Sequence, residues 1–347
     1  MLPLYKLDFL SLEQVFRSFH IKDIVSLALL STRSFKTVRA FLKHIRPRRV
    51  FIDLEISKKH KITVYLGSEM LNIKMSNNSY LREEQNFRGV PVLEASQSKF
   101  QGIEYSVFDD CHNGLTTYWE DENIAIRMLY QYISNLFDKP VSGLIYFPVS
   151  RNLHLGLLEL IMQNQDSISH ANVCFTEPFC LNNGRAMKIL SIVEKIILDV
   201  PFPNFSLPKH KYQNLTIENG NWVTLSELKR IDCKFLYICQ NLADVNPLKD
   251  DELVEFLNLW TNGFFPNLTD FRLETNASIS LEKILKDFVT EPSDMDVSEI
   301  EDEWNVVTGG PLNVRQLKTG KSATVYTMNT ENFDGSEVSF FSMSVID

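Results

Sequence analysis

Between Leu2 and Leu42 the apolar positions recur at helical spacing. Leu12, Val15, Phe16 and Phe19 form one group, Ile24, Leu27, Leu29 and Leu30 a second, and Phe35, Val38, Phe41 and Leu42 a third. The spacing predicts helices over Ser11–Phe19, Asp23–Leu30 and Ser34–Leu42, with breaks at His20–Lys22 and Ser31–Arg33. Ser11 with Gln14 reads as a capping box opening the first helix. A segment of about 40 residues is too small to enclose its own apolar faces, so part of this surface is expected to be covered by another protein.

The pattern then changes. Lys43 to Arg49 is a basic linker broken by Pro47, and strand-like runs follow at Val50–Ile56, Ile62–Leu66 and Met70–Met75, the last two joined as a hairpin across Gly67-Ser68. The stretch from Asn77 to Gly114 is polar and supports no assignment. Asp121–Asp138 reads as a long helix, because Ile124, Ala125, Met128, Leu129, Tyr132, Ile133, Leu136 and Phe137 make an unbroken stripe before Pro140.

From there strands and helices alternate: strands at Leu144–Val149, Ala171–Phe175 and Ile196–Val200, helices at Leu153–Gln163 and Arg185–Glu194. Three later strands resemble one another, Leu215-Thr-Ile217, Leu236-Tyr-Ile238 and Phe271-Arg-Leu273, with Asn219, Asn241 and Asn276 just beyond them. Each precedes a helical stretch, at Leu225–Ile231, Asp251–Trp260 and Leu281–Phe288. Such units suit an irregular leucine-rich-repeat-like β-α domain; an ordinary α/β domain with right-handed crossovers fits the same residues. Glu291–Trp304 reads as an acidic loop. Strands at Leu312–Leu317, Ser322–Met328 and Val338–Val345 close the chain with an antiparallel hairpin, and the few charges in the last imply that it is packed. The fold class is therefore mixed α/β, with a small three-helix N-terminal segment.

Composition narrows the function. With 347 residues, 44% apolar content and 24 Phe, the chain can bury a large core. A net charge of −9 argues against nucleic acid as a partner, although Arg33 to Arg49 is locally basic. Five cysteines with no C-x-x-C pair fit neither a disulfide framework nor a zinc site. The absence of a signal-like start or a membrane-length apolar run suggests an intracellular chain, cytoplasmic or nuclear.

Candidate chemistry is sparse. Gly320-Lys321-Ser322 looks like the end of a phosphate loop, but Arg315 stands where that loop needs its first glycine, so a hairpin turn is the better reading. Cys111-His112 lacks an orienting third group, and the seven histidines show no metal-binding spacing. No catalytic residue, metal ligand or cofactor site is expected, and the chain is not read as an enzyme.

The N-terminal residues Leu7, Leu12, Val15, Phe16, Phe19, Asp23, Ile24, Leu27, Leu30, Ser31 and Arg33 fall in the order of the F-box pattern, which this segment resembles. Asp8 departs from it, standing where proline is usual, and Ser34 replaces a frequent Trp. Proline at position 8 would restrict the free segment, so Asp8→Pro is expected to strengthen binding. The helix end Tyr132–Phe137, the block Leu253–Trp260, Gly263, Pro266-Asn267-Leu268 and Phe271-Arg-Leu273 resemble the type 2 F-box-associated domain of nematode F-box proteins. Val314-Arg315, Gly320 and Ala323–Val325 resemble its closing hairpin. The resemblance implies an F-box over residues 1–45 and a substrate-binding domain over 46–347. It further implies a Skp-family adaptor held by Leu7, Leu12, Val15, Phe16, Phe19, Ile24, Leu27 and Leu30, a cullin reached through that adaptor, and a role as substrate-recognition subunit of an SCF-type ubiquitin ligase. A protein-interaction scaffold that keeps the F-box without assembling a ligase is the alternative. Because side chains along a strand alternate, Thr216, Tyr237 and Arg272 point away from the buried aliphatics, with Glu218 and Glu274, and form the candidate substrate-binding face.

Overall fold

A computed structural model describes residues 7–45, 50–77, 96–100, 103–110, 114–147, 155–175, 184–201, 205–240, 248–296, 305–331 and 337–346. The chain divides into two compact units, Met1–Ile168 and Ser169–Asp347. The division expected after residue 45 falls inside the first of them.

The first unit opens with α1 (Phe9–Arg17), α2 (Ile21–Leu29) and α3 (Thr32–Ile45). Helix α1 begins two residues earlier than its apolar pattern suggests because Asp8, and not Ser11, is its cap: the Asp8 carboxylate accepts from the Ser11 N–H at 2.9 Å and the Ser11 hydroxyl at 2.9 Å. Strands β2 (Lys61–Leu66) and β3 (Glu69–Asn77) form the expected hairpin, and β1 (Val50–Ile56) pairs antiparallel with β2 to extend it into a meander. Within the stretch that the pattern left unassigned lie β4 (Ser96–Phe100) and β5 (Ile103–Asp110), followed by β6 (Gly114–Trp119); residues 78–95 and Cys111-His112 lie outside the described residues. Helix α4 (Glu122–Phe137), β7 (Gly143–Tyr146) and α5 (Leu155–Asn164) complete the unit, with strand order β7-β1-β2-β3-β6-β5-β4.

Asp121 caps α4 by accepting from the N–H groups of Asn123 and Ile124. Ile124 of the expected stripe is exposed, while Ile126 and Tyr130 are buried. The reason is that α4 is covered on two sides, by β1–β3 and by α3, so no single stripe describes it. Phe35 of α3 stacks on Tyr132 of α4 with ring centres 4.6 Å apart. Arg39 and Lys43 lie 3.5 and 3.7 Å from Asp138, offsetting a carboxylate at the negative end of the α4 dipole. On the other side the Ile21 N–H donates to Glu69 of β3 at 2.7 Å. The three N-terminal helices are thus built onto the unit by specific contacts.

The second unit is reached in β8 (Ile168–Cys174), followed by α6 (Gly184–Ile189) with a short 3-10 turn, β9 (Val193–Asp199), β10 (Lys211–Glu218), α7 (Leu225–Leu228), β11 (Asp232–Gln240), α8 (Asp250–Thr261), β12 (Asp270–Thr275) and α9 (Leu281–Leu285). Strands β9 to β12 pair in parallel in chain order. The chain ends in β13 (Thr290–Pro292), β14 (Asn305–Arg315), β15 (Ser322–Glu331) and β16 (Glu337–Ile346), an antiparallel group whose β16 pairs with β12. The expected acidic loop is therefore a short strand at its start; its residues 297–304 lie outside the described ones. Helix α7 is a single turn, since Lys229 and Arg230 already leave the helix.

One sheet face of this unit is the core. Leu215, Ile217, Leu236, Ile238, Phe271 and Leu273 are buried with Phe256 and Trp260 of α8, and the rings of Phe256 and Phe271 lie 4.4 Å apart. Burying each such side chain contributes about 1.5 to 3 kcal/mol. Thr319-Gly320 is a turn, with Gly320 at φ +75° and its N–H donating to the Gln316 carbonyl, so the Gly-Lys-Ser sequence closes a hairpin and does not cradle a phosphate.

Candidate functional site

Two surfaces collect the residues singled out in the sequence. On the N-terminal helices the eight expected contact residues separate by burial. Leu7 and Leu30 are 43% and 71% exposed, and Leu10, which the pattern did not single out, is 72% exposed. Leu12, Val15, Phe19 and Leu27 are half-buried. Phe16 and Ile24 are only 1% and 2% exposed. Phe16 packs against Phe19 and Phe41 with ring centres 5.8 and 4.7 Å away, so it holds the helices together.

The second surface lies on the sheet face opposite the core of the second unit. Register places Thr216 of β10 beside Tyr237 of β11, Tyr237 beside Arg272 of β12, Arg272 across from Ser342 of β16, and Ser342 across from Tyr326 of β15. The three expected residues therefore form one row. With Met295 they line a concavity of about 410 Å³. Ser342, Tyr326 and Met295 were not anticipated. The poverty of charge in the last strand hinted at packing, but nothing local says that β16 lies beside β12.

The polar groups of this face have a definite arrangement. Tyr237 donates its hydroxyl proton to Glu274, and Ser344 donates to Asp270 at 2.7 Å. Burial, reinforced by the hydrogen bond and the negative charge at Glu274, pushes the Tyr237 phenol up, which keeps it a donor at neutral pH. Both carboxylates that flank Arg272 along β12 are thus engaged by hydroxyls. Among the described residues, Arg272 has no ion pair. The Ser342 hydroxyl oxygen is buried without a hydrogen-bond partner. Phe235 and Ile197, exposed on the same face, extend it as an apolar surface.

A second concavity of about 340 Å³ lies where β11 begins, lined by Cys233, Phe256, Phe264, Phe265 and Leu268 among others. Burial pushes the Cys233 thiol up to about 12, which makes it a core side chain and a poor nucleophile. Among the described residues, no group of three or more His, Cys, Asp or Glu could hold a metal ion, and no helix is long and apolar enough to cross a membrane.

Residues 206–273 match the family model described as F-box associated. The match supports an F-box-associated domain running from the residues before β10 to the interior of β12, and it contains Thr216, Tyr237 and Arg272. No curated protein and no solved structure matches the chain.

Proposed function

We propose that this chain is the substrate-recognition subunit of an SCF-type cullin-RING ubiquitin ligase. Residues 1–45 act as an F-box that docks a Skp-family adaptor, and through it a cullin, while the second unit takes a protein substrate on the Thr216–Tyr237–Arg272 face. The observation that carries this reading is the F-box-associated match at 206–273 in a chain whose N-terminal three-helix segment exposes Leu10 on α1, Leu7 just before it and Leu30 at the end of α2. The parallel strand order from β9 to β12 supports treating this region as irregular leucine-rich-repeat-like units. The chain itself does no covalent chemistry in this role; it holds a substrate lysine within reach of a ubiquitin-loaded enzyme. The setting is intracellular, cytoplasmic or nuclear, as in the nematode F-box proteins that the sequence resembles.

Deleting residues 1–45 would uncover Tyr132 and α4, so exposed substitutions are the better test. Leu7→Asp, Leu10→Asp and Leu30→Asp together should abolish co-purification of a Skp-family adaptor and its cullin while leaving Tm unchanged. A parent chain that recovers no adaptor, or a triple variant that recovers as much as the parent, overturns the assignment.

A further inference from the structure

We infer that the groove around Arg272 recognises a single carboxylate side chain carried on an extended protein segment with apolar neighbours. This names a substrate class for the receptor reading and rests on it.

The inference starts from two unused groups that face each other. Arg272 and Ser342 are directly opposed in the β12–β16 pair, so their side chains leave the sheet on the same side. A guanidinium offers a planar fork of donors that matches a carboxylate in two parallel hydrogen bonds. Here that fork is unclaimed among the described residues, although Asp270 and Glu274 stand on the same strand and the same face. They are held by Ser344 and Tyr237. Beneath the groove, Ser342 is 5% exposed and its hydroxyl oxygen lacks a partner, a position normally filled by a hydrogen bond. A carboxylate that pairs with Arg272 and displaces the side chains covering Ser342 accepts the Ser342 proton as well, which satisfies both groups.

The surroundings set the selectivity. Tyr237, Tyr326, Met295 and Phe235 wall the groove and its approach with aromatic and apolar surface, suited to apolar residues beside the acid. Asp270 and Glu274 lie two residues to either side of Arg272, about 6.6 Å along an extended strand. A second negative charge on the ligand would meet one of them with no cation to balance it. The groove therefore admits one acid and rejects an acidic run, and a chain of net charge −9 reinforces that rejection.

The test is to pan a displayed random twelve-residue peptide library against the purified full chain. Enriched peptides are then measured by fluorescence anisotropy on the parent and on Arg272→Gln and Ser342→Ala. Selected peptides should carry one Asp or Glu between apolar residues. Affinity should fall at least tenfold on Arg272→Gln and a few-fold on Ser342→Ala, and should weaken as salt rises. Replacing the acid by Asn or Gln should remove binding, and replacing it by phosphoserine should not improve it; a hexaglutamate peptide should not bind. No enrichment, enrichment without an acid, unchanged affinity on Arg272→Gln in a variant of parental Tm, or preference for phosphoserine overturns the proposal. Adaptor co-purification, scored on the same variants, separates the two readings. Retained adaptor with no Arg272-dependent peptide defeats only the groove, whereas Arg272-dependent peptides with no adaptor defeat only the receptor role.

Discussion

Phe16 and Phe41 face each other with ring centres 4.7 Å apart inside the three N-terminal helices, and both are buried. This separates two roles that an apolar helical pattern leaves merged. Phe16→Ala removes an interior ring and should cost about 3 to 5 kcal/mol, seen as a lower urea midpoint. Leu10→Ser and Leu30→Ser lie on open surface and should change that midpoint little while reducing adaptor capture. An unaltered midpoint in Phe16→Ala would show that the ring is not packed as described.

Asp8 occupies φ −65°, which proline also adopts, and the expected gain from Asp8→Pro rested on that preference. The structure adds what the sequence did not show, that the Asp8 carboxylate caps α1 through Ser11. Those hydrogen bonds hold its pKa below the usual value of 3.8. Asp8→Pro therefore exchanges backbone restriction for a lost cap, and Asp8→Ala loses the cap with no return. Thermal scans should place Asp8→Ala below the parent and Asp8→Pro between them, with adaptor affinity following the same order. A Tm for Asp8→Ala equal to the parent's would remove the cap from the account.

What could be read from the sequence depended on how local the cause was. Helix α4 and strands β10 to β12 are written in short-range periodicity, and the turn at Gly320 in a few residues. The row Thr216–Tyr237–Arg272 followed from alternation alone, because parallel strands in the same phase keep like residues side by side. Ser342 and Tyr326 could not be found this way. They join the row only because β16 crosses back to lie against β12, and a pairing such as Arg272 with Ser342, 70 positions apart in the chain, leaves no local trace in the sequence. The burial of Phe16 was out of reach for a related reason: a helical stripe shows that a side chain is covered, but not whether a sister helix or another protein covers it.

His60, between β1 and β2, is 4% exposed, and burial lowers its pKa from 6.5, with Glu55 opposing the shift. The unfolded chain therefore takes up a proton before the folded one as pH falls. Stability is full above the unfolded value and declines below it until the folded pKa is reached, by up to about 1.4 kcal/mol per pH unit. Urea unfolding of the parent should show this loss as pH falls through the unfolded value of about 6.5, and His60→Gln, which cannot titrate, should show a smaller one. Equal losses in both would assign the pH dependence to other groups.

Gly220 opens the short turn after β10, where the backbone passes close to β11. A Cβ there would lie 2.5 Å from Ile238 Cγ2 and 3.3 Å from the Cys239 carbonyl oxygen. Ile238 is fully buried and its branched side chain has no open space to enter, so Gly220→Ala should cost about 1 to 3 kcal/mol by overpacking. Ile238→Ala removes the obstructing methyl while leaving a cavity. A double-mutant cycle in urea should therefore find Gly220→Ala less costly in the Ile238→Ala background than in the parent, because the new methyl then enters vacated space. If the cost is the same in both backgrounds, the contact with Ile238 is not what requires glycine, and the Cys239 carbonyl becomes the group to relieve.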